Sequence, residues 1–84
     1  MLKLKKDIEI ESLDDDEILI INVNEGTFLN INKIGLAILE ALINGSNINE
    51  IVIEMSKKFS KDLKECENII IQFVEKLKNF GIVE

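Results

Sequence analysis

The stretch Gly26-Thr27-Phe28-Leu29-Asn30-Ile31-Asn32-Lys33-Ile34-Gly35 decides the fold, because a strand ends and a helix begins inside it. From Thr27 to Ile31 the side chains alternate, with Thr27, Leu29 and Ile31 on one face and Phe28 and Asn30 on the other, as a pleated strand requires. Asn32 stands where a helix takes its N-cap, since its side-chain oxygen can accept a free amide hydrogen of the first turn. So short a handover makes strand and helix share one core. Upstream the chain reads as strands and downstream as helices, so this strand is the last of its sheet and is expected to leave an edge free.

Working back from Gly26, Glu17 to Val23 carries Ile18, Leu19, Ile20 and Ile21 in succession, so both faces are apolar and the strand belongs in the middle of the sheet. Asn24-Glu25-Gly26 turns the chain, with Gly26 able to take a positive φ. Further back, Asp7 to Leu13 alternates Ile8 and Ile10 against Glu9 and Glu11, the pattern of a half-buried strand with one wet face. Asp14, Asp15 and Asp16 between these strands form a charged turn. This reading is better than a calcium loop, whose further oxygen ligands and glycine are missing.

Working forward, Lys33 to Asn44 places Ile34, Ala37, Ile38, Ala41 and Leu42 at helical spacing, widened by Leu36, Leu39 and Ile43, which predicts a largely buried helix ended by Gly45. Asn47 and Glu50 have the spacing of a capping box, opening a second helix from Ile48 to about Lys58 with Ile51, Val52 and Met55 on one side. Ser60 or Asp62 caps a third helix reaching Asn79. Leu63, Cys66, Ile70, Phe73, Val74 and Leu77 form its inward stripe, Gly81 ends it, and Ile82-Val83 turns back onto the core. A three-stranded antiparallel sheet followed by three helices, with a helix–turn–helix-like connection at Asn44 to Asn49, is an α+β domain of winged-helix character.

The chain has 84 residues, 46% of them apolar and sixteen of them Ile, enough for one domain over residues 1–84 but not for a deep catalytic cavity. Sixteen acidic and ten basic residues leave a net charge of −6, which argues against a phosphate-rich partner and for a basic peptide or protein. One Cys and no His exclude an intramolecular disulfide and a Cys/His zinc site, and a reducing cytoplasm is the expected compartment. No signal-peptide core and no apolar run near the ~20 residues of a membrane span is present, so an unprocessed protein with no membrane partner is expected. No cofactor is implied, and no catalytic base, nucleophile elbow or phosphate-cradling loop appears, so an enzyme is not expected. Cys66, set between Leu63 and Ile70, reads as a packing residue.

Two features bear on binding. The helix–turn–helix-like connection, with Lys57, Lys58, Lys61 and Lys64 as the one local concentration of positive charge, raises the alternative of a small winged-helix DNA-binding regulator. Glu54, Asp62, Glu65 and Glu67 dilute that charge, and the chain has no Arg to contact guanine, so no nucleic-acid partner is expected. The second feature is Ile69-Ile70-Ile71. Neighbours on a helix point ~100° apart, so these three cannot all face one core. Either the core face is unusually wide, or Ile69 or Ile71, with Phe73 and Leu77, lines a groove beside the free edge of Thr27 to Ile31. An extended peptide could add to that edge and drop alternate side chains into the groove. A structural subunit that dimerises through this apolar surface, as a homodimer, is the remaining alternative.

The ten residues from Gly26 to Gly35 resemble the glycine, aromatic, apolar, Leu-Asn and following glycine motif of the PqqD family, with Ile31 in place of the usual Leu. The likeness continues through Ile38, Leu39, Leu42 and Gly45, the capped segment Asn47 to Ile51, Phe59 where a tyrosine is common, and Phe73 to Leu77 ending at Gly81-Ile82-Val83. The resemblance implies a RiPP recognition element, a non-catalytic domain that binds the leader of a ribosomally made precursor peptide and presents its core to a modifying enzyme. It implies that the leader adds as a strand to the third β-strand and packs against the third helix. The implied peptide-binding residues are Thr27, Phe28, Leu29, Asn30, Ile31, Ile69, Ile70, Phe73, Val74 and Leu77. The implied partners are the precursor peptide and an enzyme such as a radical SAM maturase or a lasso-type leader peptidase, with the chain resembling the free-standing members of the family.

Overall fold

A computed structural model describes residues 2–84 of the chain. Its strands are β1 (Ile8–Ser12), β2 (Ile18–Asn22) and β3 (Thr27–Ile31), followed by α1 (Lys33–Ile43), α2 (Ile48–Phe59) and α3 (Leu63–Asn79). The sheet order is β1-β2-β3, antiparallel throughout, which places the apolar β2 in the middle. Register puts Ile20 between Ile10 and Leu29, and Ile18 opposite Ser12 and Ile31, so one face of all three strands points at the helices. On the other face Ile21 lies beside Glu9 and Phe28, and Leu19 beside Glu11 and Asn30.

The turns and caps follow from local chemistry. Asp14 Oδ1 accepts from the amides of Asp16 and Glu17, both at 2.9 Å, so the acidic turn is an Asx-type turn stabilised by its own carboxylate. Asn32 Oδ1 accepts from Gly35 N at 2.8 Å as the cap of α1, and Asp16 Oδ1 accepts from Lys33 N at 3.1 Å. The β1–β2 turn is thereby tied to the start of α1. Asn47 and Glu50 form a complete capping box on α2. Of the two candidate caps for α3, Asp62 takes the position, while Ser60 ends α2 in a left-handed conformation with φ 52°. Gly81 follows α3 with φ 72°, and Ile82 N donates back to Leu77 O at 2.9 Å, closing a Schellman-type end. Ile82 and Val83 are then buried, and Leu4 bridges to Val83.

The core has two clusters. One joins Ile18, Ile20 and Leu29 of the sheet to Leu39, Leu77, Ile82 and Val83; the other joins α1, α2 and α3 through Ile38, Leu42, Ile51, Val52, Cys66 and Ile70. Phe73 packs against both. Three expectations change. Ile10 is 43% exposed, because β1 is an outer strand and only its Ile8 end reaches the core cluster. Leu63, at the first turn of α3, is likewise exposed instead of joining the inward stripe. On α1, Ile34 and Ala37 are exposed and Ala41 is half-buried, so the buried face is the narrower set Gly35, Ile38, Leu39 and Leu42.

One buried polar residue was not signalled by the pattern of its strand. Asn22, 1% exposed, ends the apolar run of β2. Its Nδ2 donates to Gly81 O at 2.7 Å and to Glu25 Oε2 at 3.2 Å, and its Oδ1 accepts from Glu25 N at 3.0 Å. These bonds offset the cost of burying an amide and lock the β2–β3 turn onto the end of α3.

Candidate functional site

β3 pairs with β2 on one side, and among the described residues no strand pairs with it on the other. In an antiparallel strand alternate residues turn their N–H and C=O groups toward each neighbour, so the free edge keeps a row of unused donors and acceptors. At the start of the strand, Thr27 Oγ1 donates to Phe80 O at 2.8 Å, which holds the end of α3 beside it. Toward Ile31 strand and helix separate. An open groove of about 550 Å³ lies there, with Asn30, Ile31 and Asn32 on one wall and Ile69, Phe73 and Lys76 on the other.

Gly35 lies at the base of this groove, and its conformation is ordinary helix. A Cβ built on it would sit 3.3 Å from Ile31 Cβ and 3.4 Å from Phe73 Cζ. The missing side chain thus lets the Phe73 ring approach the first turn of α1 and fixes the depth of the groove. Charge at the rim is divided, with Asp16 and Glu17 beside the end of β3 and Lys76 on α3.

The residues expected to bind peptide separate into three groups. Ile69 (37% exposed) and the half-buried Ile31 and Phe73 line the groove together. Phe28 (62% exposed) and Asn30 stand on the outer face of the sheet at its free edge, while Thr27 and Leu29 face inward. Ile70, Val74, Leu77 and Leu29 are buried, so their side chains belong to the core and their part in a site is to hold α3 and β3 in place. Of the two exposed members of the isoleucine triplet, Ile69 faces the groove and Ile71 is not among its lining residues. Sequence reasoning gave Lys76, Gly35 and Asp16 no part in the site. The first was one lysine among ten, and the other two acquire their place only through long-range packing.

Elsewhere, the lysines near the α2–α3 junction are partly engaged: Lys61 pairs with Glu65 at 3.4 Å and Lys58 lies 5.7 Å from the centroid of the Phe59 ring. Among the described residues no group of three or more carboxylate, thiol or imidazole side chains is gathered to hold a metal ion. Cys66 is buried and free. Among the described residues no helix is long and apolar enough to cross a membrane.

Comparison with known proteins sets this geometry in a family. The structure described as "TbiB1 in Complex with the TbiA(beta) Leader Peptide" is similar with a TM-score of 0.80 and 24% identity, over 98% of this chain and 94% of that one. "Lasso peptide synthetase B1 complexed with the leader peptide" is similar with a TM-score of 0.86 and 17% identity, over 99% of this chain and 96% of that one. At these identities the likeness establishes a shared fold. No curated protein matches the sequence. Residues 17–83, from the start of β2 to the returned C-terminal segment, match the model of the family described as coenzyme PQQ synthesis protein D, and the chain belongs to the PqqD family.

Proposed function

We propose that the protein is a non-catalytic adaptor that binds the leader segment of a ribosomally synthesised precursor peptide as a fourth strand on β3 and delivers it to a modifying enzyme. The observation that carries this reading is the free β3 edge running into an apolar groove walled by α3. Family membership supports it, as do the two similar proteins whose structures hold leader peptides. Antiparallel addition continues the existing sheet, and antiparallel pairs are the more stable per residue. Main-chain hydrogen bonds, each worth about 0.5–1.5 kcal/mol net, supply sequence-tolerant affinity. Alternate leader side chains on the inner face then meet Ile31, Ile69 and Phe73, which supplies selectivity.

Residues 1–84 act in this reading as one recognition module in the cytoplasm, where precursor peptides are made. By holding leader and enzyme together, the module converts modification of the core into an effectively intramolecular encounter. The enzyme would be of the radical SAM maturase or leader peptidase kind. The test is fluorescence anisotropy with a labelled synthetic leader from a precursor encoded beside the gene, using Ile69→Asp and Ile71→Asp. A charge in the groove should weaken binding about 10- to 100-fold for Ile69→Asp, since it removes a buried apolar contact and desolvates a carboxylate. Ile71→Asp should bind as the wild type does. Equal binding by all three proteins would refute the groove.

A further inference from the structure

The helical face that the sequence assigns to the core, and that the structure leaves open, lies next to this groove. Ile34, Ala37 and Ala41 project from α1 toward Met55 and Phe59 of α2, and between them is an apolar cavity of about 150 Å³. Two alanines on one wall leave space that no side chain of the protein fills. Ile34 remains 42% exposed beside it and Phe59 37%. Polar groups are confined to Glu54 and Lys58. An apolar cavity of this size is large enough to take a benzene molecule, and hence the side chain of a phenylalanine or leucine.

The cavity is continuous with the β3–α3 groove, because Ile34, Ile38 and Met55 line both. A peptide strand antiparallel to β3 has its N-terminal end at Ile31, the end of β3 from which α1 departs. A chain continuing outward from there crosses Ile34 and meets the cavity. On α1 the walls extend over the seven residue steps from Ile34 to Ala41, roughly 10 Å of helix. An extended chain covers that in about three residues. We propose that the α1–α2 cavity is a second specificity site for the same peptide, taking one phenylalanine- or leucine-sized side chain from about three residues upstream of the residue that faces Ile31. Met55, unbranched and adaptable, is suited to close over side chains of either shape. This inference rests on strand addition at β3.

The experiment is a double-mutant cycle read by anisotropy, with methyl and amide NMR to locate the contact. The protein variants are Ala41→Phe, which fills the cavity, and Met55→Ala, which removes one of its walls. The probes are the synthetic leader and the same peptide with each bulky apolar residue upstream of the strand replaced by alanine. The wild type should lose about tenfold in affinity for one of these replacements and for Ala41→Phe, the size expected for one buried apolar side chain. The two losses should not add. Met55→Ala should also weaken binding of the intact leader, and because Met55 lines the groove as well, its loss counts for the cavity only where it fails to add to that of the upstream alanine replacement, which keeps the test decisive if Ala41→Phe does not fold. The methyl groups of Ala37, Ala41 and Met55 should shift with the intact peptide. If β3 amides shift while these methyls stay still and the cycle shows no coupling, strand addition stands and the cavity site falls. If neither region shifts, strand addition itself has failed and the cavity site with it. A dimer that dissociates in Ala41→Phe, with leader affinity unchanged, would assign the cavity to a second copy and overturn the inference.

Discussion

The two edges of the sheet are built in opposite ways. β1 carries Glu9 and Glu11, follows Asp7, and is largely exposed, whereas β3 has no charged residue from Thr27 to Ile31. Both edges offer unpaired main-chain groups, but an incoming strand at β1 would meet a line of carboxylates with little apolar surface to gain. At β3 it would meet an uncharged edge with a groove beside it. Charged edge strands are a common protection against unwanted pairing. The lesson is that exposure alone does not mark a binding edge; the absence of protection, with apolar surface at hand, does.

The largest expected effect removes both edges together. Ile70 is fully buried between α1, α2 and α3, and Ile70→Asp would place a carboxylate there without a partner. The cost should be about 4 kcal/mol or more, enough to unfold a small domain, and should appear as loss of the cooperative thermal transition in circular dichroism. A folded Ile70→Asp protein would contradict the core assignment of α3.

A subtler variant separates the β3 site from the fold. Gly35→Ala adds a methyl group 3.3 Å from Ile31 Cβ, which must give way by a few tenths of an ångström, and 3.4 Å from the Phe73 ring. The gain in helix propensity, about 1 kcal/mol, offsets the crowding, so stability should change little. Leader affinity should fall roughly three- to tenfold as the groove becomes shallower. Unchanged affinity in a calorimetric titration would show that the position of Phe73 does not matter to the site.

At β1 the smallest effect on leader binding is expected. Replacing Glu9 and Glu11 by Thr, a good strand residue, should leave leader affinity within about twofold, because the β3 edge is untouched. It should, however, promote self-association, visible as a concentration-dependent rise in sedimentation coefficient, since the protecting charges are gone. A leader that now binds this double variant at two sites would mean that charge alone distinguishes the edges.

Much of this comparison could be read from the sequence. The alternation of Thr27 to Ile31, the Asn32 cap and the apolar run of β2 fixed the strand order and the free edge, because each is a local signal. The triplet Ile69-Ile70-Ile71 also announced its own division, since helix geometry forbids three neighbours a common face, and Ile70 is buried with the other two exposed. Periodicity could not say which exposed isoleucine has a neighbour across a gap. It also overstated the buried face of α1. Ile34, Ala37 and Ala41 have the spacing of core residues, but spacing says which side chains share a face, not whether another element covers it. Asn22 drew no notice inside a strand expected to run on to Val23, and its meaning depends on Gly81 O, supplied by the far end of the chain.

The central claim is that a leader pairs with β3 and leaves β1 alone. Its most direct measurement is amide NMR of labelled protein, titrated with the synthetic leader and then followed by hydrogen exchange in the complex. The account predicts saturable shifts along Thr27 to Ile31 and at Ile69, Phe73 and Lys76, with slowed exchange at alternate β3 amides and no change at Ile8 to Ser12. Shifts concentrated at β1, or a folded protein whose β3 amides neither shift nor gain protection at saturating leader, would contradict it.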